Sequence, residues 1–198
     1  CGEDDAAFTS RQLQAFRRVV GVLSREGLRP SLVHAANSAG ALRHPSSRFD
    51  MIRPGLAAYG LYPGFEPVLS LKSKIIFLKT VPRGTSVSYG ATWRARRPRR
   101  VATLPIGYGD GYSRALSNRA EVLIGGRRCP VIGQVTMDQT MVDVTGVPSA
   151  RVGEDAVLIG RQGRERIETA ELARLCGTIP YETATAISSR VPRVGAAT

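Results

Sequence analysis

A serine at a helix start, an arginine beside a Pro-Gly turn and tyrosines among glycines are the residues of this chain whose types and spacing suit chemistry. Asn37-Ser38 separates an apolar run from a helical stretch. There the hydroxyl and the free N–H groups of a helix start converge, with the positive end of the helix dipole, on any anion. The same serine also reads as a simple N-cap. Arg53-Pro54-Gly55-Leu56 places a cation before a glycine whose backbone admits a ligand closely, or else a surface arginine beside a turn. Ser88-Tyr89-Gly90 and Gly107-Tyr108-Gly109-Asp110-Gly111-Tyr112 carry phenols on tight turns. A phenol there exchanges protons if a nearby cation lowers its pKa; otherwise it packs at a rim with one hydrogen bond. Met137-Asp138-Gln139 has no chemistry of its own. His34 and His44 match no local signature of a Ser or Cys nucleophile, and no GxGxxG or phosphate loop occurs, so hydrolase triads and those nucleotide motifs are set aside. Cys1, Cys129 and Cys176 are widely spaced without a CxxC pair, which predicts free thiols and neither a disulfide framework nor a metal site.

These groups need elements to hold them. Leu13, Phe16, Val19, Val20 and Leu23 recur at helical spacing after Thr9, the expected N-cap, and Gly27 offers a stop; this helix is expected to bury one face. Leu32–Ala36 reads as a short buried strand and Phe49–Arg53 as a second short strand, each followed by a short helix, at 39–43 and 56–59. After Tyr62-Pro63-Gly64 the rhythm changes. Strands are expected within 68–81 and at 101–104, 121–124, 129–131, 140–144 and 156–159, with one helix at 168–175, capped near Thr169 and stopped at Gly177. The fold class is α/β plus all-β, with a boundary near residue 66. Two βα units are too few for a closed (β/α)8 barrel of around 250 residues. The first part is therefore expected to be either a small unusual fold or the inside of a larger protein.

The chain has 198 residues, 28 Lys+Arg against 16 Asp+Glu and a net charge of +12. That charge raises nucleic acid as a partner, but its one dense cluster, Arg94 to Arg100, contains Pro98, precedes a strand and has no interleaved aromatics, so it reads as a solvated loop. No apolar run approaches the ~20 residues that span a bilayer, and the first residues lack the pattern of a signal peptide. The expectation is a cytoplasmic protein with neither nucleic acid nor membrane as partner.

Taken together, His34-Ala-Ala-Asn-Ser38, Arg53-Pro-Gly-Leu-Ala-Ala-Tyr-Gly60, Val87-Ser-Tyr-Gly-Ala-Thr92, Pro105-Ile-Gly-Tyr-Gly-Asp-Gly-Tyr112 and Gly133-Gln-Val-Thr-Met-Asp-Gln139 resemble, in order and spacing, the C-terminal half of bacterial alanine racemases. The resemblance runs from about residue 8 to residue 193. It implies an isomerase of fold type III that depends on pyridoxal 5'-phosphate and interconverts L- and D-alanine, supplying D-alanine for peptidoglycan. Residues 1–66 would be the last units of the (β/α)8 barrel and 67–198 the C-terminal β domain. Ser38, Gly55 and Leu56 would hold the cofactor phosphate, and Arg53 the pyridine nitrogen. A guanidinium cannot give up its proton, so that nitrogen would stay unprotonated and simple Cα proton exchange would be favoured. His34 would stand behind Arg53, or be a satisfied core histidine. Tyr89 would be the catalytic base for the L-enantiomer, with a lysine serving the D-enantiomer. Met137 would meet the substrate carboxylate through its N–H, Tyr108 would line the entrance, and Arg114 and Asp138 would support them. In the family, Tyr89 and Met137 reach into the other subunit of a homodimer.

Two departures stand out. The family's cofactor-bearing lysine falls in a segment this sequence does not include, and Lys72, Lys74 and Lys79 match no such motif. Alone, the chain is expected not to racemise alanine and to need a complementing N-terminal barrel segment. A non-catalytic binding module derived from the family is the alternative. Secondly, Ala186-Ile-Ser-Ser189-Arg-Val-Pro has serine where some members carry a tyrosine that bonds the phosphate. An unfinished barrel edge would expose backbone and apolar surface, predicting association of the isolated chain.

Overall fold

A computed structural model describes residues 5–195, and the chain divides into two compact units, Cys1–Glu66 and Pro67–Thr198. Cys1 lies outside the described residues.

The first unit opens with helix α1, Ala6–Arg25, followed by strand β1, His34–Asn37, helix α2, Ser38–Arg43, strand β2, Met51–Arg53, and helix α3, Gly55–Ala58. The N-cap of α1 is Asp5, whose carboxylate accepts from Phe8 N–H at 2.7 Å, and not Thr9, which is buried within the first turn. A carboxylate at that end also meets the positive pole of the dipole, which Thr9 would not. Nor is the apolar stripe of α1 a buried face: Leu13 is buried, Phe16 meets Phe49 edge-on at 5.3 Å, and Val19 is 56% exposed. The two strands pair in parallel, as alternating βα units require, but each starts later than its apolar run suggests: Leu32 is exposed, and Phe49 sits at φ 45°. Among the described residues of this unit, Ala39, Leu56 and Tyr62 cluster as a small core.

The second unit is antiparallel. Its strands are β3 (Leu71–Lys74), β4 (Phe77–Val81), β5 (Ser86–Val87), β6 (Trp93–Arg94), β7 (Arg99–Leu104), β8 (Glu121–Ile124), β9 (Arg127–Pro130), β10 (Thr140–Asp143), β11 (Asp155–Gln162) and β12 (Glu165–Ile167), followed by helices α4 (Thr169–Cys176) and α5 (Pro180–Thr185). One sheet has the order β10-β7-β4; the other has the order β12-β11-β8-β9 with β3 added to β11; β5 and β6 form a ribbon. The stretch 68–81 is thus two strands in different sheets. Ile75 N–H donates to Glu154 O and Ile76 N–H to Thr103 O, so the chain changes sheet between them, and Ile75 is buried at the crossing. Apolar residues of both sheets, such as Leu104, Val122, Ile124, Val142 and Leu158, share one core, which α4 closes with Leu172. Arg128 anchors α4 by reaching Glu171 at 2.7 Å, with Glu121 and Glu165 at 3.1 Å.

The arginine-rich segment is only partly a solvated loop. Arg96 and Arg97 are exposed, but Arg94 pairs within β6, Arg99 meets Asp143 at 3.1 Å, and Arg100 donates to the carbonyls of Val147, Pro148 and Ala150. Three carbonyls of one turn, of which only Val147 O also accepts a backbone N–H, attract a multidentate donor, a demand invisible in local sequence.

Cys129 and Cys176 are both free thiols. Burial, with the charges of Asp143 and Glu121, pushes the Cys129 thiol up to about 11. Below the ordinary thiol value near 9.0 it is neutral in both folded and unfolded chains. Between there and about 11 only the unfolded chain ionises, so stability falls as pH rises through that window. Urea midpoints at pH 8 and pH 10.5 are expected to show this fall, and Cys129→Ala is expected to diminish it; an undiminished fall in the variant would place its origin elsewhere.

Candidate active site

In the first unit the anion-suited groups lie close together. Asn37 caps α2 by accepting from Gly40 N–H, which frees Ser38 from that task. Ser38 is buried and its Oγ accepts from Ala57 N–H of α3 at 3.1 Å, so the two short helices begin side by side with the hydroxyl between them. No atom lies within 4 Å of the space a Cβ on Gly55 would fill. Open space, a hydroxyl and helix-start N–H groups make a cradle that fits a phosphate. Arg53 donates to His34 Nδ1 at 2.5 Å and to Ala35 O at 3.3 Å. Because arginine only donates, Nδ1 is the acceptor and the ring proton sits on Nε2. His34 therefore orients Arg53; it is exposed, not a core histidine.

In the second unit, Tyr89, Tyr108, Arg114, Gln134, Met137 and Asp138 line one hollow of about 430 Å³. Tyr89 stands in a single 3-10 turn, Tyr89–Ala91, and is 75% exposed. The backbone on both sides is strained: Ser88 is at φ 65°, ψ −179°, and Ala91 at φ 48°. Such conformations cost about 1–3 kcal/mol each and persist only where surroundings impose them. Here Ser88 Oγ donates to Gln134 O at 2.7 Å, while Asn118 accepts from Gly133 N–H at 2.6 Å and donates to Thr92 Oγ1 at 3.0 Å. These bonds hold the strained turn, and with it a phenol that lines the hollow. Tyr108 and Met137 are likewise exposed, on loops that bond each other: Tyr108 N–H donates to Thr136 O and Gly109 N–H to Met137 O, both at 2.9 Å. Tyr112 is different. It is buried, its hydroxyl has no partner among the described residues, and burial, with the Cys176 and Glu171 charges, raises its pKa well above the usual phenol value. It is a core residue and supplies no proton to the hollow.

Sequence reasoning missed Ser88, Asn118, Gln134 and Arg190. Their roles arise from contacts with segments 15 to 80 positions away, and no local spacing signals them.

Residues 68–195 match the model of the alanine racemase C-terminal domain, and residues 1–63 that of the N-terminal domain. The chain belongs to the alanine racemase family. An alanine racemase of Symbiobacterium thermophilum is 48% identical over 194 residues, covering 94% of this chain and 52% of the relative. One of Methylacidiphilum infernorum is 49% identical over 167 residues, covering 81% and 43%. Among solved structures, alanine racemase from Bacillus anthracis with bound L-Ala-P superposes with a TM-score of 0.89 at 39% identity, covering 97% of this chain and 52% of that one. The Bartonella henselae enzyme with covalently bound pyridoxal phosphate has a TM-score of 0.80 at 30% identity, covering 98% and 54%. The chain spans about half the length of the curated alanine racemases it matches. No helix among the described residues is long and apolar enough to cross a membrane.

Proposed function

We propose that this chain is the C-terminal portion of a pyridoxal 5'-phosphate-dependent alanine racemase, acting on L- and D-alanine with a barrel segment that carries the lysine, in a homodimer whose β domain completes the partner's site. The first unit would be the closing βα units of that barrel. The observation that carries the reading is the convergence of Tyr89, Tyr108, Arg114, Met137 and Asp138 on one hollow, together with the separate cradle of Ser38, Gly55, Leu56 and a His34-oriented Arg53. The five residues are drawn from four separate stretches of sequence, and packing alone does not require polar and phenolic groups to meet there.

Bound pyridoxal 5'-phosphate withdraws electrons from the substrate Cα and so makes its hydrogen acidic. The chain's own residues do the rest. Ser38 Oγ and the N–H groups of Gly55 and Leu56 would hold the phosphate. Arg53 would donate to the pyridine nitrogen and, having no proton to lose, would leave it neutral. Tyr89 removes the proton from Cα of L-alanine or returns one to that face. The Met137 N–H binds the substrate carboxylate, and Tyr108 narrows the approach. Arg114 has no ion pair among the described residues and supports the hollow as a cation available to the substrate carboxylate.

Lys74 is held by Asp155 at 2.7 Å, an ion pair that lowers the Asp155 pKa, and Lys72 and Lys79 lie on β3 and β4. None is placed beside the cradle by its own unit. Coexpression of this chain with the lysine-bearing barrel segment of a relative is expected to yield cofactor absorbance and conversion of L- to D-alanine, with neither part active alone. Two folded, associated parts without conversion would overturn the reading in favour of a non-catalytic binding module.

A further inference from the structure

We propose that Arg190 is a positioning residue that locks the Met137 peptide in place and thereby tunes affinity for the substrate carboxylate; this rests on the racemase reading above. Three segments of the second unit meet at its guanidinium. Nη2 donates to Asp138 Oδ1 at 2.5 Å, and Nε lies 3.3 Å from Asp110 Oδ1. Asp110 is nearly buried and accepts from Gly107 N–H through Oδ2 at 2.9 Å, while its carbonyl accepts from Ser188 N–H at 3.0 Å. The Gly107–Asp110 turn and the Thr136–Asp138 loop are thus joined twice, by backbone hydrogen bonds through Thr136 O and Met137 O and by one cation between two carboxylates.

The packing leaves no slack around this bracket. A Cβ on Gly109 would lie 2.3 Å from Arg190 Nη1 and 3.0 Å from Met137 O. Glycine lets the guanidinium and the Met137 carbonyl close on the same backbone atom. Removing the cation leaves two carboxylates facing each other, one of them in a nearly buried position, and their repulsion acts along the line that separates the two loops. The Met137 N–H shares a planar peptide unit with Thr136 O, the acceptor of the Tyr108 N–H, so it would move as the loops part. Neither Met137 N–H nor Asp138 N–H donates a hydrogen bond within the described residues.

The test has two independent arms. On the 198-residue chain, Arg190→Ala is expected to speed hydrogen exchange of the Gly109 amide by about tenfold or more while amides of Val142 and Leu158 keep their protection. Arg190→Lys, which keeps the charge but not the fork, is expected to fall between. Should Arg190→Ala disturb the core, Asp138→Asn, which removes one of the two charges, decides the matter by the same amide. Unchanged Gly109 exchange with an intact core overturns the proposal. In the reconstituted racemase, Arg190→Ala is expected to raise KM for L-alanine about tenfold with kcat little altered, as for loss of binding shared by ground and transition states. A fall in kcat at constant KM overturns the carboxylate role. A wild-type chain that gives no racemisation at all counts against the racemase reading, and the exchange arm then judges the bracket by itself.

Discussion

Tyr89→Phe in the reconstituted enzyme is expected to lower alanine racemisation by about 10²–10⁴-fold, the usual worth of a positioned acid–base group. Net conversion falls in both directions, because the two enantiomers have equal free energy and a base lost from one face blocks passage either way. The faces separate in a different measurement. In deuterated water, wash-in at Cα of D-alanine needs only the lysine side and is expected to survive, whereas wash-in at L-alanine is lost. Phenylalanine keeps the ring, and Tyr89 is three-quarters exposed, so stability is expected to change by less than about 0.5 kcal/mol. Equal racemisation by the variant, or equal loss of both wash-in reactions, would remove the tyrosine from its assigned role.

Gly107→Ala is expected to destabilise the second unit's site strongly. Backbone conformation is no obstacle, since φ is −152°. The obstacle is space: the new Cβ would sit 2.1 Å from Thr136 O and 2.5 Å from Met137 O. Backbone atoms cannot swing aside as a side chain does, so the loops must part and the Tyr108 and Gly109 hydrogen bonds with them. Overpacking of this kind costs typically 1–3 kcal/mol and lost hydrogen bonds about 1 kcal/mol each, giving roughly 3–5 kcal/mol together. For a chain of this size that lowers Tm by about 6–20 °C. Gly146→Ala, where no atom lies within 4 Å of the added methyl, is the control expected to melt close to wild type. Similar melting of the two variants would mean that the loops are not pressed together as described. The effect on KM would exceed that of Arg190→Ala, because both the backbone joint and the ionic joint open.

The sequence made local features legible where local physics suffices. The β8 strand, Glu121–Ile124, coincides with its apolar run because Gly125-Gly126 ends it and both faces are buried. Helix α4 ends where Gly177 follows, whereas the cap of α2 is Asn37 and not Ser38, which lies one position inside the helix. Errors arose where a distant group outcompeted the local signal. Asp5 displaced Thr9 as the cap; the exposed stripe of α1 shows that helical periodicity reports an apolar face without saying what covers it. Residues 68–81 looked like one strand because alternation carries no information about which sheet each half joins. Strands β5, β6 and β12 and helix α5 went unread because two or three residues, or a polar helix of six, give too little periodicity.

By itself the sequence determined the kinds of groups present and their order: the serine before α2, the arginine before Pro-Gly, the phenols among glycines and the absence of lysine from residues 1–66. Those are properties of the chain in one dimension, and the family's ordered motifs are of that sort. Tertiary structure decided which of these groups share a space. It buried Tyr112 while leaving Tyr89 over a hollow, gave Arg53 a histidine partner, and placed Arg190 between Asp110 and Asp138, 80 and 52 positions away in sequence. Such meetings are settled by sheet register and by the closeness that glycine permits at Gly107 and Gly109, where a methyl group would hold the loops apart.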